Sequence, residues 1–428
     1  MFLHHFLPGL VFSALLLTCS TPSRAQLSLS LTEAQRIALV RSQQLVAHDA
    51  AAAAVREMAV AAGQMPDPVL RLGIDNLPVN GQDRFSLTRD FMTMRRIGVM
   101  QEITRADKRQ LKVERMERDG QRVVAERQLA LTGIQRETAL AWLERYYAQQ
   151  MVGLFRRQVD EARLQIQGAE IAFRGGRGSQ ADVFGGRAAL ANLEDRLRQS
   201  ERQARSAGLM LARWVGPDAA AQPLAGPVDW RESAQAELLG SGQLVHLPHL
   251  AALNAQVGVA ETEVRQAQAN TRADWTVEAM YSQRGPAFSN MVSLGVSIPL
   301  QLDRANRQDR EVAARQADLA EARARLEDAL AEQDAQGRVM VNDWTAGRER
   351  FDRLNADLLP AVRQRAEAAL TAYRTGKGDL VSVLAARRDE IDAHMQILTV
   401  EMDTARLWAQ LNYLVPDAGA TGARKEQR

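Results

Sequence analysis

The stretch Phe173-Arg174-Gly175-Gly176-Arg177-Gly178 returns in the second half of the chain as Tyr373-Arg374-Thr375-Gly376-Lys377-Gly378. Each copy lies between two long proline-poor stretches of helical character. A second matching pair, Ile97-Gly98-Val99 and Leu294-Gly295-Val296, precedes the first pair in the same order. The sequence therefore predicts a tandem duplication of one supersecondary unit, and any function must account for both copies.

Length and charge limit the possible functions. A chain of 428 residues is long enough for two or three domains, but the repeat favours one duplicated architecture. The formal net charge is +2, which provides no field that would attract nucleic acid. The sequence contains no phosphate-binding loop, nucleophile elbow, HExxH motif or cysteine-rich metal signature. We therefore predict no enzymatic activity, no catalytic residue, no cofactor and no bound metal.

Residues 1–25 have the pattern of a secretory signal peptide, with an apolar core and a small-x-small cleavage site at Ser23-Arg24-Ala25. The sole cysteine, Cys19, lies in this segment, so a mature protein without it has no thiol for a disulfide or a thiolate metal site. Alternatively, Leu16-Leu17-Thr18-Cys19 is a lipoprotein processing site at which Cys19 is acylated.

Four segments show the period of two that is typical of strands with one apolar face. We predict strands at about 68–76 and 91–103 in the first unit and at about 275–283 and 290–300 in the second. The alternation slips near Arg95, which predicts a β-bulge in the second strand.

Helical periodicity covers most of the remaining chain. One helix is predicted from Leu31 to Gly63 with Thr32 as its N-cap, and long helical hairpins are predicted at about 104–215 and 303–413. Their apolar residues recur at spacings of three and four, as in a coiled-coil seam, and Pro360 is expected to kink the second hairpin.

These elements divide the chain into two repeats. The first repeat is predicted to span residues 26–216 and the second residues 243–415. The Pro- and Gly-rich residues 217–242 are interpreted as the linker between the repeats, and residues 416–428 as a disordered tail.

The strands predict an oligomer in a membrane. Beyond the leader no apolar run reaches the ~20 residues of a membrane-spanning helix, so any span must be made by strands. Four strands do not close a membrane barrel, because such barrels begin at about eight strands. Three copies would supply twelve strands, and their helical hairpins would extend the barrel as a tube.

From about Leu31 to Pro416 the chain resembles the TolC family of outer-membrane efflux proteins. The resemblance rests on the two matching hairpin tips and on the Gly-Val strands at Gly98 and Gly295. The resemblance implies a mainly α fold with membrane β: a homotrimer with a 12-stranded outer-membrane β-barrel and a periplasmic α-helical tunnel, in a Gram-negative bacterium. It also implies a periplasmic adaptor and an inner-membrane resistance-nodulation-division pump as partners. The Pro66-Asp67-Pro68-Val69-Leu70 entry to the first strand is most similar to the heavy-metal-efflux, CzcC-like branch.

The resemblance also suggests site residues. The hairpin tips would bind the adaptor; they comprise Gly176, Arg177, Gly178, Gly376, Lys377 and Gly378. Aspartates after the tips narrow the aperture in many relatives, and Asp182 fills the first such position. The second copy has Ser382 instead, so the nearby Asp379 is the substitute candidate.

Residues on the polar side of the strands are candidates for the channel lining. Arg71 and Asp75 alternate with apolar residues and are predicted to face the lumen, either tuning ion passage or merely hydrated. Met92, Met94 and Met100 all occupy even-numbered positions and would therefore lie on one face of a strand. Their thioethers are possible soft ligands for copper or silver, although such methionines more often face lipid or protein.

Three functional hypotheses follow. The first is export of heavy-metal cations, and the second is multidrug efflux or type I secretion. The third, a purely structural periplasmic coiled coil, is disfavoured because it gives the four half-apolar strands no role.

Overall fold

The computed structural model describes residues 28–176, 178–233, 235–236 and 247–415. The signal peptide, Cys19, Arg177, the last part of the predicted linker and the C-terminal tail lie outside these residues. The first repeat contains α1 (Leu31–Arg41), α2 (Gln43–Ala62), β1 (Val69–Asp75), β2 (Met94–Ile103), α3 (Ala106–Arg174) and α4 (Gln180–Val215).

The second repeat has the same order of elements. After the short α5 (Pro217–Ala221) come α6 (Pro248–Asn270), β3 (Trp275–Gln283), β4 (Met291–Ser297), α7 (Gln308–Arg353), a π-helical turn (Leu354–Leu358), α8 (Leu359–Arg374) and α9 (Leu380–Asn412). The π-helical turn ends two residues before Pro360, whose ring nitrogen has no hydrogen to donate to the helix. Within the described residues, no helix combines the length and the apolarity required to cross a membrane.

The prediction of one helix from Leu31 to Gly63 is wrong. Ser42 has an extended backbone, with φ −68° and ψ 111°, and separates α1 from α2. The Ser42 side chain accepts a hydrogen bond from the Leu45 amide at 3.2 Å. Ser42 is therefore the N-cap of α2, although its position is also compatible with a continuous helix. The predicted N-cap Thr32 is also wrong, because Ser30 caps α1 by accepting from the Glu33 amide.

The four strands form one antiparallel sheet in the order β1-β2-β3-β4. The pairing of β2 with both neighbours is continuous through Arg95 and Arg96, so the predicted bulge is absent. The alternation slips there because Arg95 is a charged residue on the otherwise apolar face. All the connections to long helices leave one end of the sheet, and the loops 76–93 and 284–290 lie at the other.

Two strands are shorter than predicted by three residues or more. Strand β2 starts at Met94 because Asp90 accepts hydrogen bonds from the Met92 and Thr93 amides and holds residues 90–93 in a turn. Strand β4 ends at Ser297, two residues before Pro299, which cannot donate to a ladder.

A large cluster of buried residues from both repeats, here called the central core, joins the helices. Its principal members are Trp142, Leu143 and Tyr147 of α3, Leu211 of α4, Trp344 of α7, and Trp408 and Leu411 of α9. The repeats therefore fold into one helical body.

The described part of the predicted linker packs onto this core. The Trp344 indole donates to the Trp230 carbonyl at 3.0 Å, and the Trp408 indole donates to the Glu232 carbonyl at 2.8 Å. Arg145 donates to the Gln222 carbonyl at 2.9 Å. Two tryptophans of the second repeat and an arginine of the first thus anchor a segment whose composition predicts only a loop.

Candidate functional site

The two hairpin tips have the same backbone geometry. Gly176 has a φ of 71° and Gly376 a φ of 72°, in the left-handed region that glycine tolerates best. In the second tip the Gly376 amide donates to the Tyr373 carbonyl and the Lys377 amide to the Ala372 carbonyl, which is a Schellman motif. Each long helix therefore ends in a left-handed glycine cap.

The second glycine of each tip is required for another reason. Neither Gly178 nor Gly378 is among the glycines with a positive φ in the described residues. A Cβ on Gly378 would lie 3.1 Å from the Ala372 Cβ, and one on Gly178 would lie 3.3 Å from the Ala172 Cβ. These glycines let the chain pass close to the helix it has just left.

The predicted aperture aspartates cap the returning helices. Asp182 accepts from the Ser179 amide at 2.9 Å, while the Ser179 hydroxyl accepts from the Asp182 amide, as in a capping box. Asp379 is itself the N-cap of α9 and accepts from the Ser382 amide at 2.7 Å. Hydrogen bonds from the Ser382 side chain and from its amide lower the pKa of the Asp379 carboxyl. The two repeats thus exchange the positions of serine and aspartate within one cap.

The tips pack against each other through a small apolar cluster. Ala169 and Val183 of the first hairpin meet Leu380 and Val383 of the second, and all four are buried. A groove of about 740 Å³ lies between the hairpins above this cluster, with Glu161, Tyr373 and Arg387 in its wall. Lys377 is exposed at the end of the second tip.

An ion-pair network that sequence analysis missed holds the hairpins together above the tips. Arg387 of α9 contacts Glu161 of α3 at 3.0 Å and Glu390 of its own helix at 2.6 Å. Arg363 of α8 lies 3.7 Å from Glu390. Each of these residues occurs in a charge-rich helical stretch, so only the i, i+3 spacing of Arg387 and Glu390 is visible from the sequence.

The polar face of the sheet carries the predicted lumen residues, each paired with an opposite charge. Arg71 of β1 lies 3.7 Å from Glu278 of β3, reaching across Gly98 of β2. Asp75 forms an ion pair with Arg96. The sequence places Arg71 and Asp75 on this face, but it does not reveal their partners.

The glycines of the Gly-Val strands make room for this pairing. A Cβ on Gly98 would lie 2.8 Å from the Ala279 carbonyl oxygen and 3.0 Å from the Met280 Cγ. A Cβ on Gly295 would lie 2.8 Å from a Glu278 carboxylate oxygen. On the polar face, the glycine of each Gly-Val motif therefore leaves space for a larger side chain of β3, Met280 at Gly98 and Glu278 at Gly295.

The methionines divide between the sheet and its loop. Met94 and Met100 belong to β2 and have the parity of the polar face, whereas Met92 precedes the strand in the Asp90 turn. No group of three His, Cys, Asp or Glu residues placed to hold a metal ion occurs in the part of the chain that the structure describes.

The opposite face of the sheet is apolar and exposed. The register aligns rows of side chains across the strands, such as Leu72, Ile97, Tyr281 and Val292. Leu294 is 81% exposed, and its neighbours Val292 and Val296 are 72% and 63% exposed. A continuous apolar face of this kind is unfavourable in water and indicates an apolar partner or solvent.

Comparison with known proteins gives one sequence relative and several structural ones. The cobalt-zinc-cadmium resistance protein CzcC of Cupriavidus metallidurans is 26% identical over 281 residues, which cover 64% of this chain and 66% of CzcC. The match therefore spans just under two thirds of that relative. No family model matches the chain.

Solved structures match a larger share of the chain. The outer membrane protein VceC of Vibrio cholerae superposes with a TM-score of 0.73 and 19% identity, covering 90% of this chain and 95% of VceC. The CmeC outer membrane channel of Campylobacter jejuni gives 0.75 and 12% identity, covering 92% of this chain and 88% of CmeC. The predicted similarity to CzcC is confirmed by the sequence match, and the chain has the fold of the TolC-family outer-membrane channels that its doubled hairpin tips predict.

Proposed function

We propose that the chain is the outer-membrane duct of a tripartite efflux system in a Gram-negative bacterium. The observation that carries this proposal is the four-stranded sheet with one continuous apolar face, joined at one end to helices that form a separate core. The fold shared with outer-membrane channels supports it.

The sheet edges imply the assembly. Strands β1 and β4 each pair with one neighbour, so each carries an edge of unpaired backbone groups. Such groups are very costly in lipid, where no water replaces the missing hydrogen bonds. Joining β4 of one copy to β1 of the next satisfies both edges, and three copies form a closed 12-stranded barrel continued by the helical tunnel.

The tips are the surface for the periplasmic partners. They lie at the far end of the longest helices, and apolar side chains are exposed around them; these are Ile171, Phe173, Phe184 and Val381. Lys377 adds a positive charge at the second tip, and the sequence has Arg177 at the corresponding position of the first tip. An adaptor that links the duct to an inner-membrane pump would bind here, and Asp182 and Asp379 would border the aperture.

We assign heavy-metal cations as the exported substrate. The support is the sequence match to CzcC, whose name records resistance to cobalt, zinc and cadmium. The lumen face carries paired charges in place of a dedicated ligand cluster, which suits conduction because an ion must leave as readily as it enters. The alternative is multidrug efflux or type I secretion, since a duct accepts what its pump selects.

A deletion strain tests the substrate. We expect sensitivity to divalent or monovalent transition-metal ions with little change towards hydrophobic drugs, and restoration of resistance by the wild-type gene. Drug sensitivity with unchanged metal tolerance would contradict the assignment and support the alternative.

Complementation with Lys377→Glu tests the tip. This variant should reach the membrane at normal levels but restore little resistance. Arg338→Glu on α7 is the matched control, since its side chain is 77% exposed and lies far from the tips along the chain. Full resistance with Lys377→Glu would show that the tip lysine is only a solvated charge.

A further inference from the structure

The apolar face of the sheet ends in a charged row on the side of the loops. At the helix end of the face, Ile103 is paired with Trp275, and the rows that follow are mainly apolar. In the last row Arg95 lies between Ile74 and Gln283. From Ile103 to Arg95 the face covers about 26 Å along the strand, close to the ~25 Å apolar band of outer-membrane barrels.

Arg95 belongs to a group of cations around this end, here called the loop rim: Arg84, Arg89, Arg95 and Arg284. The same loops contain two acidic residues, Asp83 and Asp90. The Asp90 carboxylate accepts from two backbone amides. Of the four rim arginines, only Arg89 forms an ion pair within the described part of the chain, with Asp83 at 3.5 Å.

The other three rim arginines have no carboxylate at ion-pair distance among the residues that the structure describes. Nε of Arg95 has no hydrogen-bond partner there either, and its Nη2 reaches only the Arg284 carbonyl, at 3.4 Å. The loop rim therefore carries an uncompensated positive charge beside an apolar surface.

The loops hold the rim in place. Arg284 donates to the Ser289 carbonyl at 2.9 Å and to the Phe91 carbonyl of the other loop at 3.3 Å. Gly285 packs so closely on Thr88 that a Cβ would overlap its carbonyl oxygen. The two loops thus form one preorganised surface.

Exposed aromatic rings accompany the cations. Phe85 and Phe91 are both more than half exposed, and the Arg84 guanidinium lies 4.8 Å from the Phe85 ring centroid. Aromatic rings beside cations at the end of an apolar band are typical of the headgroup level of a membrane.

From this arrangement we infer that the loop rim binds the phosphate headgroups of anionic lipids in the outer leaflet. The inference rests on the proposed outer-membrane location. Guanidinium groups match phosphate oxygens in geometry and charge, and the apolar face directly beside the rim accommodates the acyl chains. The lipid is thereby held at both ends, which a free phosphate ion cannot reproduce.

Native mass spectrometry of the full chain in mild-detergent micelles containing equal amounts of phosphatidylglycerol and phosphatidylcholine tests the inference. The wild type should retain phosphatidylglycerol preferentially, and Arg84→Gln, Arg89→Gln and Arg95→Gln should each lower this preference by about fivefold. Raising the salt should weaken it, because the contacts are partly exposed. Millimolar inorganic phosphate should not compete.

Matched variants separate charge from position. A triple Arg→Gln variant at positions 84, 89 and 95 should lose nearly all of the preference, whereas the triple Arg→Lys variant at the same positions should keep most of it. A triple Arg→Gln control at Arg36, Arg325 and Arg338 changes the net charge equally on exposed helix surfaces and should have no effect. If the triple Arg→Gln rim variant does not assemble, Arg84→Gln alone decides, because Arg84 has no carboxylate at ion-pair distance among the described residues and lies over the exposed Phe85 ring.

Two outcomes would overturn the inference while leaving the proposed function intact. One is a wild-type protein that retains phosphatidylglycerol and phosphatidylcholine equally in the mixed micelles, and the other is loss of the preference on addition of inorganic phosphate. A chain that inserts into neither phosphatidylglycerol nor phosphatidylcholine bilayers would contradict both the inference and the proposed function.

Discussion

The central core and the sheet use the same kinds of side chain with opposite results. Trp142 is fully buried between the helices and its indole donates to the Leu29 carbonyl at 3.0 Å, whereas Trp275 at the start of β3 is 53% exposed. Leu211 is fully buried in the core, while Leu294 of β4 is 81% exposed. The helical body therefore buries its own apolar surface, and the sheet depends on surroundings that one chain does not provide.

Buried side chains couple the two repeats in the helical body but not in the sheet. Tyr147 of the first repeat donates to Glu401 of the second at 3.2 Å inside the helical body. In the sheet the repeats meet through the β2–β3 ladder, with side chains spread on two open faces. Substitutions in the core should therefore affect the unfolding of a single chain, and substitutions in the sheet should affect assembly.

The largest effect is expected from Trp142→Ala. Removing a fully buried tryptophan leaves a cavity and takes away one of the two hydrogen bonds that the Leu29 carbonyl accepts. It should lower the free energy of unfolding of the helical body by about 3–5 kcal/mol. Denaturant unfolding followed by helical circular dichroism measures it. Trp275→Ala is the matched control and should leave this transition almost unchanged; equal losses would remove the distinction between the two regions.

In the sheet, Leu294→Arg should prevent assembly. The charge would lie at lipid depth on the apolar face and cost about 2–4 kcal/mol near the midplane. Ser293→Arg, one residue away on the polar face, should assemble normally. The amount of oligomer recovered from outer membranes distinguishes the two, and equal loss from both would show that the faces are assigned the wrong way round.

A smaller effect is expected from Gly98→Val. The new side chain would meet the Ala279 carbonyl oxygen and the Met280 side chain, and overpacking of this kind costs about 1–3 kcal/mol. At Gly73, the nearest atom to an added Cβ is an Asp75 carboxylate oxygen at 3.9 Å, so Gly73→Val tests strand propensity without the clash. Thermal stability of the assembled protein should fall for the first variant only.

The smallest effect concerns pH and the core. Burial raises the pKa of the Glu401 carboxyl above its ordinary value of 4.5, and the Tyr147 hydrogen bond only partly opposes this. Because the raised pKa favours the protonated folded form, the wild type should lose stability relative to Glu401→Gln as the pH rises from 4.5 through the folded pKa. Melting temperatures of both proteins across this range provide the test, and a difference that does not change with pH would contradict the assignment.

The sequence predicts the architecture well where periodicity and duplication carry the information. Strand β3 has the predicted bounds of 275–283, and Gly176 and Gly376 adopt the positive φ expected of hairpin tips. The seam of α3 is largely correct as well, since Leu143, Tyr147 and Ile166 are buried.

The features that sequence reasoning missed depend on contacts between distant segments. The ion pairs of Arg387 with Glu161 and of Arg71 with Glu278 join helices or strands far apart in the chain. The packing of Trp230 against Trp344 turns a Pro- and Gly-rich segment into part of the core. The cap at Ser42 is a local exception, because a serine inside a helical pattern is equally compatible with continuing or ending the helix.

The central claim is that the helical body is complete in one chain and the sheet is not. The mass of the complex extracted from outer membranes in mild detergent tests it most directly, provided that strand content is measured on the same sample. We predict a complex of three chains that stays intact in detergent and retains its strands. A monodisperse single chain with the same strand content would show that the sheet is stable with both edges open, and would contradict the claim.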